Sequence, residues 1–122
     1  MLLFMKDQDQ TIPSNQILDS LFGKFGFSKL TEIQKKASPK ILQKKDCLVI
    51  APTGSGKTEC SVIPIFSLLK NSRKTGKIKA LYITPLKALN RDVFRRITNY
   101  AHQNQLTIEI RHGDTSQKDR KK

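Results

Sequence analysis

Cysteine is scarce in this 122-residue chain: Cys47 and Cys60 stand alone, with no cluster of histidines beside them. That excludes a zinc-ligand pattern and a disulfide framework, and reads as two small buried residues in a reducing, cytoplasmic setting. No apolar run approaches the roughly 18 residues of a membrane span. The opening Met1-Leu2-Leu3-Phe4-Met5 stops at Lys6, too short for a signal peptide. Internal repeats and low-complexity segments are also missing. With 37% hydrophobic residues the chain reads as globular but polar-leaning, one domain or part of one. Acidic residues thin out along it: nine basic side chains face six acidic ones over residues 1–60, but fourteen face four over residues 61–122. The net charge of +13 is therefore concentrated in the second half. That fits a polyanionic partner, most simply nucleic acid, or a solvated Lys-rich surface.

The most informative stretch is Ala51-Pro52-Thr53-Gly54-Ser55-Gly56-Lys57-Thr58. The apolar, β-favouring run Cys47-Leu48-Val49-Ile50 precedes it, and Glu59, Val62, Ile63, Phe66 and Leu69 follow at helical spacing. A strand would thus hand over to a helix through a glycine-rich turn. Gly54 and Gly56 let the backbone turn sharply and bring its N–H groups against phosphate oxygens, where a Cβ would obstruct. Lys57 can reach the β- and γ-phosphates, the Thr58 hydroxyl is placed to ligate Mg²⁺, and the phosphates would meet the positive end of the helix. The plainer alternative is a strand-to-helix turn that happens to be rich in Gly. Ala51 stands where the usual eight-residue pattern begins with Gly.

Ahead of this loop, polar residues 6–13 lead to Ser14, the expected cap of a helix that carries Ile17, Leu18, Leu21, Phe22 and Phe25 and ends at Gly26. A second helix is expected over residues 31–43, with Ile33, Ala37, Ile41 and Leu42 buried and Pro39 kinking or splitting it. Thr31 and Gln34 have capping-box spacing. The Gln34 amide could also grip the N6/N7 edge of adenine, and the local sequence leaves both roles open. After the loop, Pro64 is expected to bend its helix. A basic connection over residues 70–77 then leads to a strand over residues 79–84, stopped by Pro85. Next come an amphipathic helix through Leu86, Leu89, Val93, Phe94 and Ile97, with Arg91, Arg95 and Arg96 toward water, and a third strand over residues 106–110. The β-α-β-α-β rhythm predicts an α/β parallel sheet with helices on its faces, and ligands beyond the carboxyl ends of the strands.

Four segments resemble, in order, motifs of the first RecA-like domain of superfamily 2 helicases, the DEAD/DEAH-box class. Gly26-Phe27 through Thr31, Ile33 and Gln34 looks like the Q motif, residues 51–58 look like motif I, and residues 84–92 look like motif Ia. Arg111-His112-Gly113-Asp114-Thr115 resembles the segment of the Lhr (large helicase-related) subgroup at the glycine-doublet position. Leu30 stands where the DEAD-box Q motif has Pro, and no aromatic stands at the usual upstream distance, which also points to the Lhr-like subgroup. The resemblance implies residues 1–25 as a lead-in with a helix and residues 26–122 as the N-terminal part of a P-loop, RecA-like ATP-binding domain.

It further implies that Gln34 reads adenine and that Thr53, Gly54, Ser55, Gly56, Lys57 and Thr58 hold ATP, with Thr58 on Mg²⁺. Lys57 and Thr58 would be the catalytic residues present. Pro85, Lys87, Gly113, Asp114 and Thr115 would lie along one nucleic-acid strand. No Asp-Glu pair follows residue 61, so motif II is missing, and in this family Arg residues of a second RecA-like domain complete the site. The expectation is a piece of an ATP-dependent helicase, driving strand translocation in the complete enzyme and inactive by itself. Two other readings compete: a non-catalytic, basic nucleic-acid-binding remnant, and another P-loop enzyme such as a nucleotide kinase.

Overall fold

The structure, a computed structural model, describes residues 2–3, 14–72, 76–85 and 91–109. These form four helices and one pair of short strands, in the order β1 (Leu2–Leu3), α1 (Asn15–Gly23), α2 (Glu32–Leu42), β2 (Cys47–Leu48), α3 (Lys57–Lys70) and α4 (Arg91–Gln103).

Helix α1 starts after Ser14, whose backbone is extended but whose hydroxyl makes no capping bond. It stops at Gly23, earlier than expected. The chain then turns through Gly26 at φ +88°, and the Phe27 N–H reaches back to the Phe22 carbonyl at 3.2 Å. Leu18 and Phe22 pack with Leu30 and with Ile63 of α3, so α1 shares its core with the helix that follows the glycine-containing loop. In α2 the capping box is complete, and Ala37, Ser38 and Ile41 are buried. Pro39 neither splits nor ends this helix: its buried face outweighs the one backbone bond that proline removes.

Helix α3 likewise runs through Pro64 without the expected interruption. Proline has no N–H, so the carbonyl four residues earlier, on Cys60, loses its partner within the helix. The Ser38 hydroxyl of α2 donates to that carbonyl at 3.1 Å in a buried site. Ala37, Val49 and Cys60 make a second cluster at this junction. A third joins Val62 and Phe66 of α3 to Ile97 and Ala101 of α4, with Leu106 and Ile108 packed at its border.

The sheet departs most from expectation. Among the described residues the strand pairing is β1 with β2, antiparallel, with Leu2 opposite Leu48 and Leu3 opposite Cys47. The strand expected over residues 47–50 is therefore shortened to two residues, and the Met1–Met5 run, which gave no strand signal, supplies its partner. Residues 79–84 and 106–109 are not strands. A strand is stabilised by a neighbour that completes its hydrogen-bond ladder, and residues 79–84 have none among the described residues. Their apolar side chains stand in water instead: Ile83 is 84% exposed, Leu81 and Tyr82 join it, and so does Ile78 just ahead of them at 89%. The expected helical residues 86–90 and the third-strand end at Ile110 lie outside the described residues. Among the described residues no helix is long and apolar enough to cross a membrane.

Candidate phosphate-binding site

The loop from Ala51 to Gly56 connects the segment after β2 to the start of α3, and its two glycines take the conformation the sequence pattern demands. Gly54 lies at φ +79° and Gly56 at φ +84°, the left-handed region that L side chains rarely adopt. They differ in surroundings. A Cβ on Gly54 would meet nothing within 4 Å, whereas one on Gly56 would lie 2.5 Å from Nε2 of Gln34. Gly56 is thus required by both its conformation and its neighbour.

Helix α3 then begins at Lys57. Its first N–H groups have no partner within the helix, as at any helix start. The Ser55 N–H bonds to the Pro52 carbonyl at 3.3 Å. Among the described residues the N–H groups of Gly54, Gly56, Lys57 and Thr58 have no acceptor. Unpaired donors at the positive end of a helix fit an anion such as a polyphosphate. The Lys57 ammonium is held inside the same loop, donating to the carbonyls of Ala51 and, at 2.9 Å, Pro52. Ser55 closes the turn through its hydroxyl, which donates to Pro52 O at 2.7 Å. Thr58 is half-buried, and Thr53 is exposed at the loop tip.

The N-terminus of α2 grips this loop. Thr31 Oγ1 donates to the Ser55 carbonyl at 2.9 Å, and Gln34 Nε2 donates to the Gly56 carbonyl at 3.5 Å. Gln34 is 2% exposed, and its Oε1 accepts the Thr31 N–H at 2.9 Å. Its amide is therefore engaged at both ends, while each end keeps one further donor or acceptor position. Beside this junction lies a cleft of about 300 Å³ lined by Thr31, Glu32, Ile33, Lys36, Ala51, Pro52 and Ser55. The sequence signalled the capping box but not its reach into the loop, which joins residues more than twenty positions apart.

Two further neighbours were not singled out as site residues. Cys60, fully buried, donates its thiol to Lys57 O at 3.0 Å, and burial pushes its pKa up to about 11, so it is an unreactive packing residue. Glu59, buried in the first turn of α3, faces Arg96 of α4. A carboxylate in an otherwise apolar helix was the available signal. Of the residues assigned to a nucleic-acid strand, Pro85 is exposed at the end of the extended segment 78–85, remote in sequence from the loop. Lys87, Gly113, Asp114 and Thr115 lie outside the described residues. No group of three or more His, Cys, Asp or Glu that could hold a metal occurs among the described residues.

Residues 31–122 match the family model described as DEAD/DEAH box helicase. The chain is similar to the ATP-dependent RNA helicase DBP10 of Candida albicans, 33% identical over 97 residues, covering 79% of this chain and 11% of that protein. It is also similar to the DEAD-box ATP-dependent RNA helicase 57 of Oryza sativa subsp. japonica, 34% identical over 93 residues, covering 76% and 17%. A third relative, the ATP-dependent rRNA helicase SPB4 of Encephalitozoon cuniculi, is 41% identical over 66 residues, covering 52% and 14%. The chain thus spans less than a fifth of the length of each. No solved structure matches it. The narrower likeness to the Lhr subgroup finds no support among these relatives, so Leu30 and the missing upstream aromatic do not mark that subgroup.

Proposed function

Because the chain belongs to the DEAD/DEAH-box helicase family, we propose that it grips ATP·Mg²⁺ at the phosphate loop as part of an ATP-dependent RNA helicase. The observation that carries this reading is the row of unpaired N–H groups on Gly54, Gly56, Lys57 and Thr58 at the start of α3, with a lysine ammonium held in the same loop. Family membership also removes most of the support for a nucleotide kinase.

In this reading Lys57 exchanges its two carbonyl partners for β- and γ-phosphate oxygens, and the backbone of residues 53–56 wraps the remaining phosphates. The Thr58 hydroxyl ligates Mg²⁺, which when bound neutralises charge that develops on the phosphates. Gln34 meets the adenine edge, a role that can coexist with its cap. Pro85 and Lys87, with Gly113, Asp114 and Thr115, line the path of one RNA strand, which they hold by its sugar-phosphate backbone and hence without base preference. A second RecA-like domain would supply the arginines that complete the site in the whole enzyme. By itself the 122-residue chain binds ATP weakly and does not turn it over, since no Asp-Glu pair follows residue 61 to orient the attacking water.

Titration with a fluorescent ATP analogue, with and without Mg²⁺, tests this. Binding that falls at least about tenfold in Lys57→Ala supports the reading. Equal binding in the two proteins overturns it. Phosphate release above background that disappears in Lys57→Ala would overturn the statement that the chain alone is inactive.

A further inference from the structure

Glu59 follows Thr58 directly and lies in the first turn of α3, the turn that presents its N–H groups to the proposed phosphate site. A carboxylate there opposes the binding of an anion, and burial keeps water from screening it: the Glu59 side chain is 7% exposed. Its compensating charge comes from another helix. Arg96 of α4 places Nη1 3.0 Å from Glu59 Oε1, while half of its own side chain remains in solvent. The guanidinium N–H bonds are not aimed at that oxygen, which has no hydrogen bond, so the attraction is coulombic.

The packing around the pair fixes its geometry. Val62 and Phe66 of α3 clamp Ile97 and Ala101 of α4. One turn beyond Arg96, Tyr100 meets Phe25 edge-on at 5.2 Å between ring centres and Phe27 at 6.4 Å, which anchors α4 to the turn ahead of the α2 cap. Burial, and after it the Glu59 carboxylate, pushes the Tyr100 pKa up, as expected of a phenol on the margin of this cluster.

We infer that Arg96 is a positioning residue for the phosphate site, acting through Glu59: it cancels the carboxylate in the first turn of α3 and so keeps that turn receptive to the polyphosphate of ATP. The inference rests on the ATP-binding reading above. It makes α4, the helix that follows the motif Ia segment, an electrostatic partner of the phosphate loop without touching the ligand.

The test is a charge cycle on the full chain, read by the Kd for a fluorescent ATP analogue with Mg²⁺, with circular dichroism as the check on folding. Arg96→Gln leaves Glu59 uncompensated, and weakening on the order of tenfold is expected. Glu59→Gln is expected to bind as tightly as the parent chain or more tightly. The double variant Glu59→Gln/Arg96→Gln is expected to recover to within about threefold of the parent, since removing both members of a pair leaves no orphan charge. Arg96→Lys keeps the charge and is expected to stay near the parent, which keeps the test decisive if Arg96→Gln folds poorly. A merely structural bridge would weaken binding in both single variants, with no recovery in the double. That outcome, or an Arg96→Gln chain that binds normally, overturns the inference. A parent chain no better than Lys57→Ala would instead remove the ATP-binding reading, and this inference with it.

Discussion

Residues 14–72 and residues 76–85 carry comparable apolar side chains and dispose of them in opposite ways. In the first region the apolar faces of the helices pack on one another. Leu18 and Phe22 of α1 are fully buried with Ile63, and α2 and α3 share the junction at Ala37, Val49 and Cys60. In the second, Ile78, Leu81, Tyr82 and Ile83 are as β-favouring as any strand requires and stand exposed. The difference teaches that a helix satisfies its own backbone and needs only one covered face, while a strand needs a neighbour for its backbone as well. Leu48 and Ile50, on the segment leading to the phosphate loop, share the exposed condition, so the loop is held from its helical side by Thr31, Gln34 and α3.

The largest effect that would sharpen the contrast is expected at Phe22. Phe22→Ala should lower stability by about 3–5 kcal/mol in urea denaturation, because the side chain is fully buried. A loss below about 1 kcal/mol would show that the first region is no better packed than the second. Next comes the pair of loop glycines. Gly56→Ala should cost about 2–3 kcal/mol, from the left-handed backbone and the contact with the pinned Gln34 amide, and Gly54→Ala about 1 kcal/mol, from the backbone alone. Equal losses would deny that the α2 cap grips the loop.

The third expected effect is on pH dependence. Cys60 stays protonated in the folded chain up to about pH 11 but ionises from its ordinary value of 9.0 when unfolded. The unfolded chain therefore releases a proton first. Stability contributed by the neutral thiol is fully present below pH 9 and falls by about 2 kcal/mol as pH rises to 11. Thermal melts of the parent and of Cys60→Ala across that range should diverge in slope, and parallel curves would count against it. The smallest effect belongs to the exposed segment: Ile83→Ser should change stability by less than about 0.5 kcal/mol while reducing self-association seen by light scattering. A loss above about 1 kcal/mol would mean that this side chain is covered after all.

Legibility followed the same divide. The helices could be read from apolar spacing and from Thr31 and Gln34, because those signals act within a few residues. The turn at Gly54 and Gly56 was legible for the same reason, its glycine conformations being local demands. What the sequence could not reveal was supplied across distance: β1 as the partner of β2, the Ser38 hydroxyl that lets α3 run through Pro64, and the meeting of Glu59 with Arg96. Proline at residues 39 and 64 signalled breaks that did not occur, since tertiary packing outweighed one lost backbone bond in each helix. The strands over residues 79–84 and 106–109 failed for the converse reason. Their pattern was right for a ladder that the described residues do not provide.

The hydroxyl of Ser38 ties two helices together at the point where one of them lacks a backbone donor. Within α3 the ladder has a gap where Pro64 enters, so the Cys60 carbonyl takes its donor from outside the helix. That donor sits in the middle of α2, which must already be wound and docked to deliver it. The Ala51–Gly56 loop lies between these two helices in the chain, so the shape of the candidate site depends on how the helices dock and not on the loop alone.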